Sequence, residues 1–191
     1  MASEGVRIGV VASDVLQVWQ RDALAELRAA GVVVAARFAP RGNKRPIPLA
    51  KAAAGLAREQ AAAFALVPWD PPALADPASA DPSNTSALDA VLLFAPSDEI
   101  RALASARWGC WEVVLPGYPP GFEDVERGWS SVEVRIERLG GAEQTVIARA
   151  SAPVDRTSYS RTLRGIVALA VALPADAVRR ARAGVAGEEA A

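Results

Sequence analysis

The chain has 191 residues, a 51% hydrophobic fraction, 21 basic against 22 acidic residues and no histidine. That apolar fraction and length suit a packed globular domain, since about 100–200 residues is the usual domain size. The near-neutral charge argues against a broad nucleic-acid footprint, and the missing imidazole excludes histidine-based triads, dyads and metal sites.

Arg7–Ala12 (RIGVVA) is short, apolar and β-branched, and reads as a buried parallel strand. Ser13 and Asp14 then supply helix-start chemistry, with Asp14 as N-cap and Gln17 at the third helical position. Leu16, Trp19, Ala23, Leu24, Leu27 and Ala30 recur at helical spacing and form one apolar face. Gly31 ends that helix, and Val32–Phe38 predicts the second strand. Arg37, Lys44 and Arg45 make a small basic cluster, either a solvated loop or an anion contact. The alanine-rich Pro48–Phe64 reads as helical. The proline-rich Val67–Thr85 reads as a linker or long surface loop, with Trp69 as its anchor.

Leu88–Phe94 predicts a third buried strand, followed by a helix capped at Ser97 and running to about Ala106. Cys110–Leu115 predicts a fourth strand, and Pro116–Gly121 (PGYPPG) a rigid turn-rich loop. On a strand, Trp108 and Trp111 would fall on opposite faces. Val132–Leu139 alternates, with Val132, Val134, Ile136 and Leu139 inward and Glu133, Arg135 and Glu137 outward. Gly140-Gly141 turns it into a partner strand over Gln144–Ala150. Thr157–Ala172 predicts the last helix, capped by Thr157 or Ser158, and the tail from Ala181 onward is expected to fray.

This order predicts an α/β, Rossmann-like three-layer domain with a mainly parallel sheet and an antiparallel hairpin at one edge. It is expected to form one unit over residues 1–180. Ligand sites in such sheets lie at the carboxyl ends of the strands, here Ala12–Asp14, Ala95–Ser97 and Pro116–Gly121. No glycine-rich dinucleotide or phosphate loop is present. The single Cys110 excludes an internal disulfide and a cysteine metal cluster, and it reads as a small core residue. No apolar run reaches the roughly 20 residues of a membrane span, and the first residues do not read as a signal peptide, so the expected compartment is the cytoplasm.

The segments WGCWEVVL, PGYPPGFEDVERG, SSVEVRIERL, GG and EQTVIARAS, with SYSRTL before the last helix, make Arg107–Ala172 resemble the amino-terminal domain of the formyltransferase family. That family includes methionyl-tRNA formyltransferase and relatives in sugar and natural-product pathways. The resemblance implies an asparagine and a histidine that polarise the formyl carbonyl of 10-formyltetrahydrofolate, and an aspartate that manages the amine proton. The histidine position falls on Val114 or Trp111, the asparagine position on Gly109 or Glu112, and the aspartate position near Gly140. None of these has the family's residue.

Three readings follow. The chain is a formyltransferase-like ligand- or partner-binding protein without the family's chemistry, with Trp111, Tyr118, Ser13 and Ser97 as candidate ligand contacts. Alternatively it is an active formyl- or acyl-transferase with Glu112 or Asp124 replacing the histidine, 10-formyltetrahydrofolate being the donor that the resemblance implies. Thirdly, it is the structural partner of an active paralogue.

Overall fold

The structure, a computed structural model, describes residues 5–12, 15–38, 62–69, 86–94, 105–117, 119–139 and 145–184. The first strands follow the apolar runs. They are β1 (Arg7–Val11), β3 (Val33–Phe38), β5 (Ala90–Leu93) and β6 (Cys110–Val114). A hairpin of β7 (Ser131–Leu139) and β8 (Thr145–Pro153) completes a six-stranded sheet of order β3-β1-β5-β6-β7-β8. The first four strands are parallel, and β6-β7-β8 are antiparallel. The result is a mixed, mostly parallel α/β sheet of Rossmann-like type.

The parallel strands are buried on both faces. Ile8, Val10, Ala90, Leu92 and Trp111 join the core beneath α1 (Val18–Ala29) and the long α3 (Tyr159–Arg182). Val11, Val91, Leu93 and Cys110 form a second cluster with Phe38 and Leu139 on the opposite face. Gly9 lies on that second face, where an added Cβ would meet Phe38 Cε2 at 2.6 Å and Leu88 Cδ1 at 2.9 Å. Among the described residues, no helix is long and apolar enough to cross a membrane.

Several expectations are corrected. The first helix begins at Val18, later than expected. Its N-cap is Gln17, whose side chain and that of Gln20 form a reciprocal capping box. Leu16 therefore leaves the helix and enters β2 (Val15–Gln17), which pairs antiparallel with β4 (Leu66–Pro68). Val67 and Pro68 thus belong to a short ribbon rather than to a linker. Trp69 packs on the core, with the Arg37 guanidinium 4.9 Å from its ring centroid. Glu137 keeps the face of Glu133 and Arg135 but is buried rather than exposed, because the second core cluster with Cys110 and Leu139 reaches that face and Arg135 Nε donates to it.

The last helix does not stop before Pro174 but continues to Arg182. An interior proline sacrifices one backbone hydrogen bond and crowds the preceding turn, a cost of about 3 kcal/mol. Here Ile166, Ala170, Leu173, Ala177 and Val178 are all buried, and that apolar face offsets the cost. Its N-cap is Ser158, which makes no side-chain capping bond.

Asp155 organises the chain just before this helix. Its Oδ1 accepts the Thr157 hydroxyl at 2.6 Å and the Thr157 backbone N–H at 2.8 Å, and its Oδ2 accepts Arg161 Nη1 at 3.2 Å. The Thr157 hydrogen bonds, supported by Arg161, hold its carboxyl at about 2 instead of the ordinary 3.8. A depressed folded-state pKa gives stability that is present above the unfolded value and lost as pH falls through the folded value. Wild-type stability should therefore decline between about pH 4 and pH 2 partly through this group. Asp155→Asn should flatten that part of the curve, as read by urea unfolding across a pH series.

Candidate functional site

The carboxyl ends of β1, β5 and β6 open toward one end of the sheet. β1 ends next to Ala12, whose N–H donates to Phe38 O at 3.1 Å. β5 is followed by Phe94, which meets the Trp19 ring edge-on at 5.6 Å between centroids. Gln20 Nε2 donates to Phe94 O at 3.2 Å, which ties α1 to the end of β5.

β6 leads into the Pro116–Gly121 turn. Gly121 N–H closes the turn on Pro116 O at 2.7 Å, and its φ of +73° starts the short α2 (Phe122–Glu126). The Tyr159 hydroxyl donates to Pro120 O at 2.9 Å, and Phe122 packs edge-to-face on the Tyr159 ring. Burial pushes the Tyr159 phenol up to about 12, so it remains a neutral donor across the physiological range. The loop after β6 is thereby fastened to the first turns of α3.

The candidate residues separate. Trp111 is 2% exposed and faces α1 and α3. Its indole N–H donates to Trp108 O at 2.9 Å, and the space between it, Leu27, Leu92, Pro174 and Val178 is about 10 Å³. That is at the lower limit for one water molecule. Trp108 lies in the turn before β6 rather than on the strand. It therefore stacks on Trp111, with centroids 6.0 Å apart and planes 9° from parallel, instead of facing away from it.

Glu112 is half-buried on the other sheet face, in register with Leu93 and Glu137. Glu137 in turn accepts a hydrogen bond from Arg135 Nε, while Arg135 also approaches Glu133 at 3.8 Å. Asp124 is buried on α2, beside the start of α3. The two carboxylates proposed as alternative bases thus lie on different elements, β6 and α2. Val114 is half-buried at the end of β6. Cys110 is buried, as its sequence context predicts. Ser13, Ser97, Tyr118 and Gly140 lie outside the described residues. Among the described residues no group of histidine, cysteine, aspartate and glutamate has the arrangement to hold a metal ion.

A formyl oxygen that gains negative charge needs a hydrogen-bond donor placed in advance. The described side chains at the end of β6 and in its loop are Val114, Leu115, Pro116, Pro119, Pro120 and Phe122, none of which donates. The nearby donors Gln20 and Tyr159 bond to backbone carbonyls.

The architecture is that of the formyltransferase-like fold. Formyltetrahydrofolate deformylase from Pseudomonas putida KT2440 superposes with a TM-score of 0.56 at 17% identity, over 96% of this chain and 68% of that one. Glycinamide ribonucleotide transformylase 1 from Symbiobacterium toebii gives 0.54 at 19% identity, over 94% and 89%. Phosphoribosylglycinamide formyltransferase from Brucella melitensis gives 0.56 at 16% identity, over 95% and 97%. No protein-family model matches the chain, and no curated protein does.

Proposed function

We propose that this chain is a cytoplasmic ligand- or partner-binding protein built on a formyltransferase-like fold, which does not run histidine-dependent formyl transfer. The observation that carries this reading is the absence of histidine from all 191 residues. Formyl transfer to an amine requires a donor to the developing oxyanion and an acceptor for the amine proton. The two positions that the family pattern assigns to histidine hold Trp111, whose N–H is already bonded, and the apolar Val114.

The competing reading is a transferase in which a carboxylate takes the proton. It draws on one observation, the burial of Asp124 beside the loop after β6. The deciding experiment is single-turnover assay with 10-formyltetrahydrofolate, with and without a panel of amino sugars and amino acids. We expect neither transfer nor hydrolysis above the rate without protein. Turnover that Asp124→Asn or Glu112→Gln abolishes would establish the competing reading instead.

A further inference from the structure

A second concave region lies at the opposite end of the sheet, where the parallel strands begin. Arg7 opens β1, Asp89 precedes β5, the Arg107-Trp108 turn precedes β6, and Arg182 closes α3. These residues line one cavity of about 350 Å³. An adjoining recess of about 110 Å³ shares Arg107 and Trp108 and adds Arg138. Residues far apart in sequence meet here because parallel strands all start at the same end of a sheet.

Four arginines thus line the two recesses that share Trp108. Elsewhere Arg21, Arg127, Arg161 and Arg179 each hold a carboxylate. Among the described residues Arg7, Arg107, Arg138 and Arg182 have no such partner. The one carboxylate in the cavity wall, Asp89, accepts the backbone N–H of Arg7 at 2.9 Å. The net charge of the whole chain is −1, so this positive concentration is local.

The frame around these arginines is rigid. Arg107 N–H donates to Leu88 O at 3.1 Å and Trp108 N–H to Asp89 O at 2.6 Å, which continues the strand pairing into the turn. Trp108 is backed by the buried Trp111, and the Arg107 guanidinium sits 5.8 Å from the Trp108 ring centroid. The indole is therefore a fixed aromatic wall with the Arg107 guanidinium over its ring.

We propose that this cavity is a binding site for a small phosphorylated organic anion whose planar ring lies against Trp108. Guanidinium forks match phosphoryl oxygens in bidentate geometry. An indole face favours a planar partner. The volume falls in the range of small-ligand sites, roughly 300–1,000 Å³, and arginines gathered around one open concavity rather than along an extended basic stripe favour a small anion over a polynucleotide. The site is remote from the carboxyl-end crevice and independent of the function proposed for it.

The test is calorimetric titration of the full chain at low salt with adenosine 5′-monophosphate and with pyrophosphate. We expect saturable binding of both probes. The double variant Arg107→Gln/Arg182→Gln should weaken both by about tenfold or more, in line with the strength of charge-assisted hydrogen bonds. Trp108→Leu should weaken the nucleotide and spare pyrophosphate. Arg21→Gln, on α1 and outside the cavity, should change neither. Both arginines of the double variant are exposed, and far-ultraviolet circular dichroism verifies the fold. Absence of saturable binding, or an affinity that the double variant leaves within twofold, overturns the proposal.

Discussion

Trp111→Ala should destabilise the protein by about 3–5 kcal/mol, a large share of the 5–15 kcal/mol that typically holds a domain together. Trp111 fills the layer between the sheet and both long helices, against Leu27, Leu92, Pro174 and Val178. Truncation opens a cavity among rigid neighbours, orphans Trp108 O and leaves Trp108 without its stacking partner. Trp111→Phe keeps most of the apolar volume and should cost less, the difference reporting the lost N–H donor and ring area. Denaturant unfolding reads both, as a lowered midpoint with an unchanged slope. The measurement also bears on function. A ligand-contacting tryptophan in an open crevice would cost under about 1 kcal/mol on truncation in the absence of ligand. A loss below that figure would refute the placement of Trp111 in the core.

This residue shows where sequence reading succeeds and where it stops. The strands were legible because runs such as RIGVV and AVLL are apolar on both faces, the signature of a central parallel strand. The hairpin was legible from the alternation of Val132, Val134 and Ile136, whereas Leu139, expected with them, packs in the cluster on the opposite face, and Gly140-Gly141 lie outside the described residues. The facing of Trp111 was not, since a double-sided strand gives no periodic cue to which face holds which partner. The stack with Trp108 depends on strand pairing having begun in the turn before β6. The β2–β4 ribbon escaped notice because three-residue strands carry no pattern and their pairing joins Val15–Gln17 to Leu66–Pro68. The exposure expected for Glu137 fails because its face is covered by the second core cluster, which no property of Glu137's own segment signals.

The candidate site divides the same way. The family resemblance located the strand-to-loop junction at Val114–Gly121, and the fold places that junction at the carboxyl end of the sheet. Glu112 and Asp124, offered as alternative bases, fall on different elements, β6 and α2. The arginine cavity runs the other way. Residues 7, 107, 138 and 182 carry no joint signal in the chain: the starts of parallel β1 and β6, the end of antiparallel β7 and the end of α3 bring them together.

Gly121→Ala should cost about 2–4 kcal/mol and lower the melting temperature by roughly 5–15 °C. Two separable effects add. The φ of +73° burdens any residue with a Cβ by about 1–2 kcal/mol. The Cβ itself would lie 2.4 Å from Ile166 Cδ1 and 3.5 Å from Thr162 Cγ2. Ile166 is fully buried and cannot swing away. The loop cannot withdraw freely either, since Tyr159 holds Pro120 and the Gly121 N–H closes on Pro116. A double-mutant cycle separates the two effects. Ile166→Val deletes the clashing Cδ1, and alone it should cost about 0.5–1.5 kcal/mol. In the Gly121→Ala background the same deletion should be neutral or stabilising, giving a coupling energy of about 1 kcal/mol or more. The loss that survives in the double variant then measures the backbone strain alone. Simple additivity of the two substitutions would mean that the turn after β6 does not rest on α3, and the anchoring that shapes this end of the sheet would have to be sought elsewhere.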